Sequence, residues 1–107
     1  MLIKVNSDRR TEVSAADAER LEEVVRERLA RFGDWLTRVE VHLTDPDGPR
    51  SQGTDARCAL EARPEGRDPV ATTAEAADPD AAVAAAARAM VTVLERERGR
   101  LTSRKGH

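Results

Sequence analysis

Two runs of alternating residues constrain this chain more than anything else in it. From Leu36 to Thr44, Val39, Val41 and Leu43 stand against Arg38, Glu40 and His42; further on, Ala56, Cys58, Leu60 and Ala62 stand against Arg57, Ala59, Glu61 and Arg63. Successive side chains on a strand point to opposite faces, so each run describes a strand with one covered and one wet face. Between them Asp45 to Thr54, with Pro46, Gly48, Pro49 and Gly53, has the turn chemistry of a long hairpin connection. A lone hairpin is marginal in water, so other elements must cover the apolar face.

The rest of the chain supplies them. Ile3 and Val5 flank Lys4 in a short opening strand. Ser14 stands three residues before Asp17, the spacing with which a helix start satisfies two otherwise unpaired amides. Leu21, Val25, Leu29 and Phe32 then mark one stripe, widened by Val24, of a helix that Gly33 ends. After the turn Pro64 to Asp68, a fourth strand-like run covers Pro69 to Ala74. Asp78 and Pro79 open a long second helix whose inner face carries Val83, Ala86, Ala87, Met90, Leu94 and Leu101. Gly99 weakens its last turn, which makes residues 1–101 one domain and 102–107 a flexible tail.

The core must be thin. Leu, Ile, Val and Phe number 20 of 107 residues, while 18 more are alanine. Charge does not oppose collapse, because 18 basic residues against 20 acidic ones leave a net of -2. No apolar run approaches the roughly 20 residues of a membrane span, and the opening is too short for a secretion signal, so a cytoplasmic protein with no membrane partner is expected. Cys58 is alone, which excludes an internal disulfide, and no histidine spacing suits zinc.

The element order is therefore β-α-β-β-β-α, an α+β fold. A right-handed crossover makes the first two strands parallel neighbours, and hairpins add the next two antiparallel, giving sheet order 1-2-3-4. Both helices must lie on the one apolar face, parallel to each other, in a double-stranded-RNA-binding-domain-like architecture. Their C-terminal ends then meet at one edge, which gathers Arg26, Arg28, Arg31, Arg96, Arg98, Arg100, Arg104 and Lys105, joined by Lys4, Arg38, Arg63 and Arg67. Asp17, Glu19, Glu75, Asp78, Asp80, Asp45, Asp47 and Asp55 collect opposite. Helix dipoles favour such a pattern in any protein. A phosphate-binding pole is the functional alternative of comparable weight.

No constellation carries catalysis. His42 shares the wet face with Arg38 and Glu40, pairing across the hairpin near Glu61 or Arg63, while Cys58 lies on the buried face, so the two form no nucleophile and base. Glu40 and Glu61 are too solvated for the raised pKa of a general acid. No cofactor or small-molecule motif is present. Phe32 and Trp35, the only aromatics, read as packing residues, so any RNA contact rests on arginines against phosphate and on shape.

Ile3-Lys4-Val5-Asn6, Leu29-Ala30-Arg31-Phe32, the run Leu36 to Leu43, Cys58 to Arg63 and Ala81-Ala82-Val83 occur in an order that resembles the short ribosome hibernation promoting factor and ribosome-associated inhibitor family. Members are also labelled sigma-factor modulation or ribosomal subunit interface proteins. The resemblance implies a non-enzymatic factor that binds the small ribosomal subunit and its 16S rRNA between head and body, occludes the mRNA and tRNA channel, and silences ribosomes under stress. Carried over by position, the RNA-binding residues would be Arg28 and Arg31 on the first helix and Arg88, Arg96 and Arg100 on the second, with Arg104 and Lys105 following. A monomer without the dimerising domain of longer members is the form implied. Glu19, Glu22, Glu23, Glu27, Glu95 and Glu97 interleave with these arginines where typical members are lysine-rich, and they subtract from RNA affinity. The competing expectation is an interaction or dimerisation module that uses the open sheet face.

Overall fold

The computed structural model describes residues 1–8, 13–45 and 56–105, with side chains as far as residue 100. The long connection after Asp45, with Asp47 and Asp55, lies outside the described residues. Four strands, β1 (Leu2–Ser7), β2 (Leu36–Thr44), β3 (Ala56–Pro64) and β4 (Val70–Ala76), form one sheet in the order β1-β2-β3-β4. β1 and β2 are parallel, and the two later pairings are antiparallel. The helices α1 (Ala15–Arg28) and α2 (Pro79–Lys105) cover one face, as the alternation requires.

The alternation is realised residue by residue. Val39, Val41, Leu43, Cys58, Leu60 and Ala62 are buried against Leu21 and Val25 of α1 and Val83, Ala86, Ala87, Met90 and Leu94 of α2. Alanines make this thin core workable: with only a methyl group between them, α2 and the sheet approach closely. Thr72, on the inner face of β4, uses that closeness to donate its hydroxyl to the Ala86 carbonyl at 2.9 Å. No polar or charged residue is buried among the described residues.

Both helix starts form as their sequences dictate. The Asp17 amide donates to Ser14 Oγ at 3.0 Å, and the Ala81 amide donates to the Asp78 carboxylate at 2.8 Å. Asp17 in turn is held below the ordinary carboxyl range, first by the Arg20 guanidinium and then by Ser14's hydroxyl and backbone amide.

Five local expectations are corrected, the last of them at the end of α2. The stripe through Leu29 and Phe32 is not one helix: α1 stops at Arg28, Leu29 adopts φ -103 and ψ 11, and a single 3-10 turn, Ala30–Phe32, follows. Leu29 and Phe32 are buried all the same, because the tighter turn keeps them on the inner face. Gly33 is right-handed (φ -55), not a left-handed helix stop; a Cβ there would sit 3.1 Å from the Ala30 carbonyl oxygen, and this close approach is what favours glycine. β4 starts one residue later and ends two residues later than the sequence suggests, running from Val70 to Ala76 with Pro69 outside it. His42 lies opposite Ala59 and Asn6, not Glu61 or Arg63.

A bulge interrupts the pairing at the start of β2. Leu36 pairs with Pro64 and Arg38 with Arg63, so Thr37 is the extra residue, its hydroxyl donating to the Arg63 carbonyl at 3.1 Å. The offset lets Leu36 enter the core while Arg38, two residues on, faces outward. α2 continues through Gly99 as far as Lys105, so residues 102–105, which the sequence assigns to a tail, are helical.

Cys58 has no access to solvent, and burial pushes its thiol up to about 12. A thiol reagent is therefore expected to label Cys58 only as fast as the protein opens, even at mildly alkaline pH. Rapid labelling of the native protein in a stopped-flow measurement would contradict this packing.

Candidate nucleic-acid interface

Ion pairs fix how the helices lie. Arg20 of α1 grips Asp80 at the start of α2 with Nε and Nη2, at 3.1 and 2.9 Å. Arg31, just beyond α1, meets Glu95, farther along α2, at 2.9 Å. The earlier contact on one helix meets the earlier on the other and the later meets the later, so the helices are parallel, as the topology argument requires. The acidic ends are also internally neutralised, since Arg20 contacts Asp17 as well, at 2.8 Å.

Along α2 and toward the opposite pole the candidate arginines divide into two sets. Arg28, Arg88 and Arg96 are exposed and make no ion pair among the described residues. Arg88 and Arg96 lie on the outer side of α2, opposite Met90 and Leu94, roughly 12 Å apart along the axis. Arg31 and Arg100 are braced instead. Glu95 holds Arg31, while Glu97 bridges Arg67 at 3.1 Å and Arg100 at 3.0 Å. Glu97 is only 20% exposed, because it ties the turn between β3 and β4 to α2. Arg26 is spent on structure, bonded to Glu22 and to the Met1 carbonyl. The side chains of Arg104 and Lys105 lie outside the described residues.

Aromatic rings underlie this pole. The Arg31 guanidinium lies 5.0 Å from the Phe32 ring centre, and that of Arg98 lies 5.1 Å from Phe32 and 5.0 Å from Trp35. Phe32 is buried and Trp35 half-buried, so packing accounts for the rings, as expected, but they also orient the charges above them. The bipolar pattern is thus real but moderated: carboxylates sit among the guanidinium groups and pair with specific ones.

The open sheet face is charged differently. Arg38 lies opposite Arg63 and Glu40 opposite Glu61, like facing like across the hairpin. Each arginine finds its carboxylate along its own strand instead, at 3.6 Å in both cases. His42 is exposed on that face and Cys58 is buried on the other, which separates them as the alternation requires. Among the described residues no cluster of His, Cys, Asp or Glu could hold a metal ion, and no helix is long and apolar enough to cross a membrane.

The family model described as sigma 54 modulation protein / S30EA ribosomal protein matches residues 5–102. The chain belongs to that family. No curated protein matches it closely enough to add to this. Among solved structures it is similar to a ribosomal subunit interface protein from Coxiella burnetii, with 15% identity and a TM-score of 0.71 over 92% of this chain and 99% of that one. It is also similar to the Protein Y N-terminal domain of Thermus thermophilus, with 25% identity and a TM-score of 0.64 over 90% and 98%.

Membership makes this a ribosome-associated modulation and hibernation fold of the α+β class, and it gives the charged pole a context. Of the arginines transferred by position, the structure brings Arg31 and Arg100 to one end of the helix pair and strings Arg88 and Arg96 along the outer side of α2. In the sequence alone Arg98 has no role beyond the basic edge and Gly99 only a weakening one. The signal for both was present: a glycine in a helix interior costs roughly 0.5–1 kcal/mol relative to alanine. Nothing lies within 4 Å of where a Gly99 side chain would begin, so packing does not call for it.

Proposed function

We propose that this protein binds the small ribosomal subunit through Arg28, Arg31, Arg88, Arg96 and Arg100, with Arg104 and Lys105 extending the surface, and that it blocks the mRNA and tRNA channel in the cytoplasm as a non-enzymatic translation inhibitor. The observation that carries this reading is the exposed set Arg28, Arg88 and Arg96, which has no ion pair among the described residues, on the helix side of a ribosome-associated fold. An exposed guanidinium without an internal carboxylate gains most from a phosphate, which it grips with two parallel donors.

Co-sedimentation with purified small subunits across a salt series tests the reading. Four to five phosphate contacts predict release of the protein as salt rises, with roughly a hundredfold or greater loss of affinity over a fourfold increase. Failure to pellet at low salt would defeat it.

A second reading rests on the open sheet face. A twofold axis running midway between the Arg38–Arg63 row and the Glu40–Glu61 row would set the arginine row of one copy over the glutamate row of another. Light scattering of the free protein at low and high concentration separates this dimer from the monomer that channel binding requires.

A further inference from the structure

We propose that Arg98 is a stacking platform for an unpaired RNA base, seated in the cleft that Gly99 leaves open. The inference rests on the RNA-binding reading above and adds a ligand chemistry that phosphate contacts alone lack.

Three observations converge on this spot. The Arg98 guanidinium is backed by two rings, Trp35 and Phe32, at 5.0 and 5.1 Å, and its Nη1 approaches the Arg31 carbonyl at 3.5 Å. The side chain is exposed at the surface yet held in orientation by these contacts. Beside it a cleft of about 440 Å³ is lined by Arg31, Phe32, Glu95, Arg98 and Gly99. The third observation is Gly99 itself, which no close packing demands and whose missing side chain keeps the cleft open.

A guanidinium is planar, delocalised and weakly hydrated, and unpaired RNA bases stack on such planes as they do on aromatic rings. The backing rings fix the plane before binding, so little ordering is left for the bound state. Arg31, once it exchanges Glu95 for phosphate, then donates to the flanking phosphate. A duplex cannot use this site, since its bases are already stacked and paired.

The test compares a single-stranded RNA of about a dozen nucleotides, enough to span one such site, with a duplex of similar length. Trp35 is the only tryptophan and there is no tyrosine, so its fluorescence reports the platform directly. The single strand is expected to change Trp35 emission and the duplex to leave it unchanged. Arg98→Lys keeps the charge and loses the plane; it is expected to weaken single-strand binding about tenfold and to leave duplex binding as it was. Gly99→Leu fills the cleft without altering charge and favours the helix, and the same selective loss is expected. Wild-type single-strand affinity in both variants, with small-subunit pelleting intact, overturns the platform and leaves the wider reading standing. No pelleting by the unaltered protein overturns both.

Discussion

Replacing Arg88 and Arg96 together by glutamate is expected to lower affinity for the small ribosomal subunit by about a hundredfold or more and to leave the fold intact. Both side chains are exposed on the outer side of α2, and neither has an ion pair among the described residues, so no internal contact is lost. The effect on binding is large for the same reason. A hydrogen bond to a charged group contributes roughly 1.5–3 kcal/mol, and each substitution removes one phosphate partner and places a carboxylate in its position. The slope of log affinity against log salt should also fall by about 1.5, the share of two phosphates. Reversal at Arg31 or Arg100 is less clean, because it also removes the partner of Glu95 or one of the two arginines that hold Glu97. Pelleting across a salt series checks the binding, and thermal unfolding checks the fold. Unchanged affinity with an unchanged slope would move the RNA contact off the outer side of α2.

The pattern of the chain reveals the fold more fully than the site, and particular residues show why. Val39, Val41, Leu43, Cys58, Leu60 and Ala62 announce their burial by alternation alone, and the handedness of strand-helix-strand crossovers then leaves one arrangement of sheet and helices. The break at Leu29 is not visible, because Leu29 and Phe32 reach the same face from an α-helix or from a tighter 3-10 turn. The partner of His42 is equally hidden. It depends on how far the two strands are offset, and an offset of two residues changes the partner without changing which face is apolar. For the site, sequence places the arginines but not their partners. Glu95 and Glu97 lie two residues apart on α2, yet one turns to Arg31 beyond α1 and the other to Arg67 in the β3–β4 turn. Only the packed helices decide that.

Those two glutamates set the second large effect. Changing Glu95 and Glu97 together to glutamine is expected to tighten small-subunit binding about tenfold and to steepen its salt dependence. Phosphate and carboxylate compete for the same guanidinium groups, so RNA must displace Glu95 to reach Arg31 and Glu97 to reach Arg100. Two neutral side chains release both arginines and remove two repulsive charges from the contact. The single changes should differ. Arg31 and Glu95 are each 56% exposed, a setting in which an ion pair contributes about 0–1 kcal/mol, so Glu95→Gln is expected to raise affinity with almost no change in melting temperature. Glu97 is more enclosed and uses both oxygens, one on Arg67 and one on Arg100. Glu97→Gln should therefore loosen the β3–β4 turn against α2 and lower the melting temperature, with a smaller gain in affinity because Arg100 loses its brace. Weaker binding by the Glu95 variant would mean that this carboxylate positions Arg31 for RNA rather than competing with it.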